Sequence, residues 1–288
     1  MSGRPKPPAR GERRAILAHR RLQGSPVTPD RWVFFLHGFL GSGRNWASIG
    51  RALVQERPDW GVVLVDLRLH GDSQDFHPPH TVEASADDVN SLIRGLRETE
   101  HAIVGHSFGG KVALAAARQA DPTLSQVWVI DSTPAAKRTR AGADRLMDLL
   151  TRLPGPFADR ADLVSAVQAA GFEKHIAQWT ATNLVRGPDG YRWRLDFAAL
   201  NLLLADFYRE DLWSVVDPSV AGREIIFVRA TTGSILEDDA ADRIRRLEAD
   251  GECVRLIDLE GDHWLHVANP DALLELFVRY LPRPRDPS

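Results

Sequence analysis

The chain has 288 residues, of which 43% are hydrophobic and 26% charged, and a formal net charge of -3. That composition belongs to a folded globular protein and excludes a disordered chain, and the near-neutral charge excludes a strong basic field that would point to nucleic acid as the partner. No run of about 18 apolar residues is present, so no membrane span is expected. The Arg/Pro/Lys-rich opening lacks the apolar run of a secretory signal, which makes the cytoplasm the expected location, with an organellar transit peptide as the alternative.

In chain order, a polar, flexible segment is expected over residues 1–14, then a short strand over 15–19 and a buried strand over 32–36 that ends at His37-Gly38. Residues 46–55 read as an amphipathic helix and 61–65 as a continuous apolar strand, and Val89, Leu92, Ile93 and Leu96 give residues 82–96 a helical period. A strand at 102–104, a small-residue helix starting near Lys111 and a strand at 126–130 continue the alternation. Between 133 and 216 the rhythm stops, and helix-like stretches are broken by Pro154, Gly155, Pro156, Gly171, Gly187 and Gly190. A strand at 224–228, a helix at 240–249, a strand at 253–259 and a helix at 271–280 restore it, with 282–288 as a flexible tail. Apolar strands separated by helices predict a parallel sheet covered on both faces. The expected fold class is therefore α/β: a mostly parallel central sheet flanked by helices, with a core over 15–132 and 217–281 and an inserted helical cap over 133–216. The single cysteine, Cys253, sits in an apolar stretch and is expected to be a buried strand residue.

Gly105-His106-Ser107-Phe108-Gly109 lies between an apolar run and a small-residue helix. It is the G-x-S-x-G pattern of a nucleophile elbow, a sharp strand-to-helix turn that lifts a serine hydroxyl clear of the sheet. A serine needs a base, commonly histidine, and a carboxylate to hold the imidazole tautomer. His263 follows the final apolar strand within Gly261-Asp262-His263-Trp264 and fits the base. His19, His70, His77, His80, His101, His106, His175 and His266 lack that position, and His77-Pro-Pro-His80 does not have metal-binding spacing.

Two places compete for the acid. Asp131 ends the strand at 126–130, on the sheet edge where open α/β sheets carry functional groups, and is the favoured choice. After the strand at 224–228 no carboxylate occurs before Glu237, Asp238 and Asp239, which stand at a helix start where acids are favoured for dipole reasons alone. Asp262 is adjacent to His263 in the chain and poorly placed to orient its ring. Donors for an oxyanion are expected from the backbone N–H of Phe108, after the serine, and of Phe39, in the Gly-rich loop His37-Gly38-Phe39-Leu40-Gly41-Ser42.

His37-Gly38, Asp66-Leu67-Arg68-Leu69-His70-Gly71-Asp72-Ser73, Gly105-His106-Ser107-Phe108-Gly109-Gly110 and Gly261-Asp262-His263 occur in an order that resembles the α/β-hydrolase superfamily from about residue 15 to 281. Ile130-Asp131-Ser132-Thr133-Pro134, Tyr191-Arg192-Trp193-Arg194-Leu195 and Trp264 resemble a group of small cytosolic carboxylesterases and thioesterases whose acid follows the sixth strand. The resemblance implies a serine hydrolase of carboxylic esters or thioesters of small or medium acyl groups, working through an acyl-enzyme without metal or organic cofactor. The alternatives are another serine-triad activity (a C–C bond hydrolase, perhydrolase or lyase) or a non-catalytic ligand-binding member of the fold. The expected partner is a small-molecule substrate, with Trp264, Trp193 and Phe207 as candidate binding residues. Arg138 and Arg140 are an alternative anchor for an anionic substrate group.

Overall fold

Residues whose side chains alternate across a fully buried strand must find apolar cover on both sides, and the central strands of this chain do so. The computed structural model describes residues 16–283 except 25, 27, 97–99, 120–122, 137–142, 218–222 and 252. The segments expected to be flexible, 1–14 and most of the tail, lie outside the described residues. The main sheet holds β1 (His19–Leu22), β2 (Arg31–Leu36), β3 (Trp60–Val65), β4 (Glu100–His106), β5 (Leu124–Ile130), β8 (Glu224–Ala230) and β9 (Val254–Leu259), in the order β1-β3-β2-β4-β5-β8-β9. β1 is antiparallel to β3, and every other neighbouring pair is parallel. Phe34, Val63, Ile103, Val127 and Phe227 point to one face, under helices Val82–Leu96, Phe108–Arg118 and Asp238–Ala249. Phe35, Leu64, Val104, Trp128 and Ile226 point to the other, under helices Ala47–Glu56 and Pro270–Tyr280.

Among the described residues between β5 and β8, none adds a strand to this sheet. The segment forms helices Ala143–Thr151, Arg160–Ala169, Lys174–Ala181, Phe197–Arg209 and Trp213–Val216. It also forms a small hairpin of β6 (Leu184–Gly187) and β7 (Gly190–Trp193), which an all-helical insertion did not anticipate. The hairpin strands are half-exposed, so no buried apolar run announced them. Leu146, Leu150, Leu200, Leu203 and Phe207 from this segment are continuous with the larger core cluster. The segment therefore packs on the sheet's helical layer and does not close a core of its own.

Two local expectations are corrected. The first strand begins at His19 rather than residue 15, because the apolar Leu17 tucks into the core ahead of it while the strand itself is a largely exposed edge. Cys253 is exposed and precedes β9, whose apolar pattern begins one residue later at Val254. No helix of the described residues is long and apolar enough to cross a membrane.

Candidate active site

The parallel register brings His106, Ile130, Val228 and Ile257 level at the C-terminal ends of β4, β5, β8 and β9. Functional groups placed just beyond those ends converge at one edge of the sheet, the usual place for a site in an open α/β sheet. Ser107 leaves β4 with φ 53° and ψ -116° and caps helix Phe108–Arg118. A non-glycine residue at positive φ is strained and persists only where its surroundings hold it. Here the Ser107 N–H donates to the Ile130 carbonyl at 2.9 Å, and its own carbonyl accepts from the Gly110 N–H at 3.0 Å. A Cβ at Gly105 would sit 2.0 Å from the Gly109 carbonyl oxygen, and one at Gly109 would sit 2.6 Å from the His37 carbonyl oxygen. Both elbow glycines are therefore required by space.

Asp131 and His263 meet next to this turn. His263 Nδ1 lies 2.6 Å from Asp131 Oδ2. Because a carboxylate oxygen accepts, Nδ1 carries a proton here, and Nε2 is the ring nitrogen that Asp131 leaves unengaged. Asp131 is wholly buried and has φ 42°. Its carboxylate also accepts from the Ala230 N–H at 3.0 Å, the Ile235 N–H at 3.2 Å and the Ser234 hydroxyl. Burial alone pushes its pKa up; the hydrogen bond and charge of His263, with the Ser234 and Ala230 donors, outweigh that and hold the carboxyl below its ordinary value. Two of the competing acids are engaged elsewhere. Asp238 is exposed and pairs with Arg229, and Asp262 accepts from the Trp264 N–H at 2.8 Å. Glu237 stands at the edge of the cavity described below.

The loop after β2 packs directly on the elbow, where a Cβ at Gly38 would come within 2.9 Å of His106 Nδ1. His37 Nε2 accepts from the Leu67 N–H at 3.0 Å, so Nδ1 holds the proton and donates to the Gly38 carbonyl at 2.8 Å. Burial drives the His37 pKa down to about 4, with the Gly38 bond opposing the shift, and the ring is neutral near pH 7. Phe39 and Phe108 stack edge to face at 5.8 Å. Phe108 is the first residue of its helix, where a backbone N–H has no intrahelical acceptor.

A cavity of about 400 Å3 opens over these groups. The core supplies Phe39, Leu40, Ser107, Phe108, His263 and Trp264, and the segment between β5 and β8 supplies Leu146, Ile176, Trp179, Leu204 and Phe207 among others. Its apolar walls with a few convergent polar groups are the usual make-up of a small-molecule site. Two of the three candidate binding residues, Trp264 and Phe207, line it. Trp193 does not: its indole donates to the Leu153 carbonyl at 2.6 Å and its ring packs on Phe157 and Phe197. Arg138 and Arg140 lie outside the described residues.

Several supporting groups escaped the sequence reading. Ser234 is one: the turn after β8 supplies no carboxylate of its own but the donors that hold Asp131. His106 donates from Nε2 to the His263 carbonyl at 2.7 Å, tying the elbow to the loop that carries His263. Lys111 is fully buried and donates to the carbonyls of Ala135, Phe207 and Glu210 at 2.8, 2.8 and 2.9 Å. It fastens the elbow helix to the segment above it. No short-range pattern announces these contacts, each of which joins residues far apart in sequence.

An α/β sheet with a serine elbow and a buried Asp–His pair at its C-terminal edge defines the class to which comparison with known proteins also leads. The chain belongs to the alpha/beta hydrolase family, whose profile matches residues 33–276. It is 27% identical over 274 residues to the sn-1-specific diacylglycerol lipase ABHD11 of Mus musculus, covering 92% of this chain and 85% of that protein. It is 33% identical over 123 residues to the 2-succinyl-6-hydroxy-2,4-cyclohexadiene-1-carboxylate synthase of Citrobacter koseri, covering 43% of this chain and 46% of that one. Among solved structures, a marine microorganism esterase superposes with a TM-score of 0.77 at 22% identity, covering 93% of this chain and all of that one. The chain is thus an alpha/beta hydrolase with lipase and esterase relatives.

Proposed function

We propose that this protein is a serine hydrolase that cleaves carboxylic esters or thioesters of small or medium acyl groups. Ser107 Oγ attacks the acyl carbonyl while His263 Nε2 takes its proton, and the Phe39 and Phe108 N–H groups receive the developing oxyanion. His263 then protonates the leaving alcohol or thiol, and water, deprotonated by the same ring, releases the acid and restores Ser107. Asp131 holds the Nδ1–H tautomer and stabilises the imidazolium formed in each step.

The observation that carries this reading is the 2.6 Å Asp131–His263 contact at the edge of a cavity that Ser107 also lines. The cavity volume is at the lower end of the roughly 300–1,000 Å3 common for small-molecule sites, in keeping with a modest acyl group. The mouse relative's name adds acylglycerols to the esters worth testing. The test is Ser107→Ala, assayed against a panel of ester and thioester chain lengths and for labelling by a fluorophosphonate. Loss of both, with the fold intact, is expected; undiminished turnover would overturn the mechanism.

A further inference from the structure

Resting on the reading above, we infer that Asn183 is a positioning residue for the oxyanion loop, through which the segment between β5 and β8 sets the geometry of the chemical step as well as walling the cavity. The loop from His37 to Ser42 carries the proposed donor, the Phe39 N–H, and is pinned at two carbonyls. The first is Gly38, which accepts from His37 Nδ1 at 2.8 Å and from the Gly41 N–H at 3.0 Å. Since the peptide between Gly38 and Phe39 is planar and trans, fixing its oxygen aims its N–H the opposite way. The second pin comes from outside the core. Asn183, nine-tenths buried, donates from Nδ2 to the Leu40 carbonyl at 2.9 Å, across 143 residues of chain.

Leu40 is where the loop most needs holding. Its φ is 63°, a left-handed conformation that a bulky side chain adopts only under external constraint. Asn183 is held in turn, because its N–H donates to the Thr180 carbonyl at 3.1 Å and its carbonyl accepts from the Arg194 N–H at 3.1 Å. Arg194 also pairs with Asp72, whose N–H donates to Asp66 Oδ2 at 2.7 Å. Asp66 Oδ1 accepts from the Gly43 N–H at 2.7 Å, just beyond the oxyanion loop. The two ends of the hairpin are thereby tied to the core at one point within the loop, Leu40, and, through Asp72 and Asp66, at another just beyond it. A bond worth little in overall stability would then matter to rate, because a donor displaced by a fraction of an ångström misses a charge that exists only in the transition state.

The test compares Asn183→Asp, which keeps the shape and removes the donor, and the milder Asn183→Ser with Thr180→Val. The last removes a part-buried hydrogen bond from the same segment, Thr180 Oγ1 to the Ile176 carbonyl at 2.8 Å, and leaves Leu40 alone. Rates are normalised to sites titrated by saturating fluorophosphonate, so only folded protein is counted. For either Asn183 variant, kcat is expected to fall about 10- to 100-fold, with KM within about threefold and the labelling rate falling in step, while Thr180→Val keeps kcat. An unchanged kcat, a loss confined to KM, or an equal loss in Thr180→Val would overturn the inference. Ser107→Ala separates the two claims: if it stays active the hydrolase reading itself falls, whereas an inactive Ser107→Ala beside wild-type kcat in Asn183→Asp removes only the role of Asn183.

Discussion

The parallel core and the segment between β5 and β8 meet at one cavity but supply it in different ways. The core presents its groups on backbone that the sheet register fixes: Ser107 at the end of β4, Asp131 at the end of β5, and Ser234 and His263 in the turns after β8 and β9. The segment presents side chains from helices, including Leu146, Ile176, Leu204 and Phe207, and is joined to the core by apolar packing and by long-range hydrogen bonds. The lesson is a division of labour. Under the proposed mechanism the reacting groups ride on the stiffest part of the fold, while the segment lends cavity walls and, through Asn183, a brace for the loop beside them.

The largest effect expected on this division lies wholly within the core. Asp131→Asn keeps the shape but offers an amide where His263 needs an acceptor, so kcat should fall about 10^4-fold, as expected when the wrong imidazole tautomer is favoured. Asp238→Asn should stay within about twofold of the parent, since Asp238 is exposed and paired with Arg229. Steady-state rates on a short acyl ester decide between them, and the reverse order would move the acid to the helix start and break the contrast drawn above.

That contrast also explains what was legible in the sequence. β2, β3 and β5 are buried almost throughout, so their apolar runs stood out, and Asp131 could be picked because it ends such a run. Helix Val82–Leu96 matched its expected bounds because one face meets the core at a 3.6-residue period. The hairpin was hidden because Leu184 to Trp193 alternates buried, intermediate and exposed residues with no apolar run, although Gly187-Pro188-Asp189-Gly190 is a turn signal in its own right. Trp193 looks like a binding residue in sequence because its aromatic character is visible there, whereas the direction of a side chain is decided by tertiary packing.

Next in size is a pH effect on stability, which should come mainly from the core. Burial lowers the pKa of His37 to about 4, of His70 to about 3 and of His266 to about 4, against an ordinary value of 6.5. Between about pH 4 and 6.5 the unfolded chain therefore binds more protons than the folded one. Their contribution is fully present above 6.5 and is lost as the pH falls through that window, by up to about 1.4 kcal/mol per pH unit for each ring. Urea melts at pH 7, 6 and 5 should show a steep decline, and a flat profile would mean that these rings are hydrated in solution.

A smaller effect tests the joint between the two regions. Lys111→Met replaces the buried ammonium with an apolar chain of similar length and strips donors from the Ala135, Phe207 and Glu210 carbonyls. Stability should fall by about 3 kcal/mol, because the buried carbonyls lose partners while the cost of burying a charge is also removed. KM should rise more than kcat falls, as the helix bearing Phe207 loosens over an intact elbow. Equal losses in both would mean that Lys111 also holds the nucleophile turn in place.

The finest distinction is between two aromatic residues of the segment that look alike in sequence. Phe207 lines the cavity and lies 6.0 Å from the Phe108 ring, whereas Trp193 is spent on Leu153, Phe157 and Phe197. Phe207→Ala should enlarge the cavity and shift the preferred acyl chain toward longer members, changing relative kcat/KM by about tenfold across the series, since each methylene in an apolar pocket is worth roughly 1–3 kcal/mol. Trp193→Phe should leave the chain-length profile unchanged and cost only about 1 kcal/mol, the usual net value of one hydrogen bond. A changed profile in Trp193→Phe would show that the hairpin transmits its packing to the cavity wall, and the line between the part that selects and the part that merely supports would have to be redrawn inside the segment.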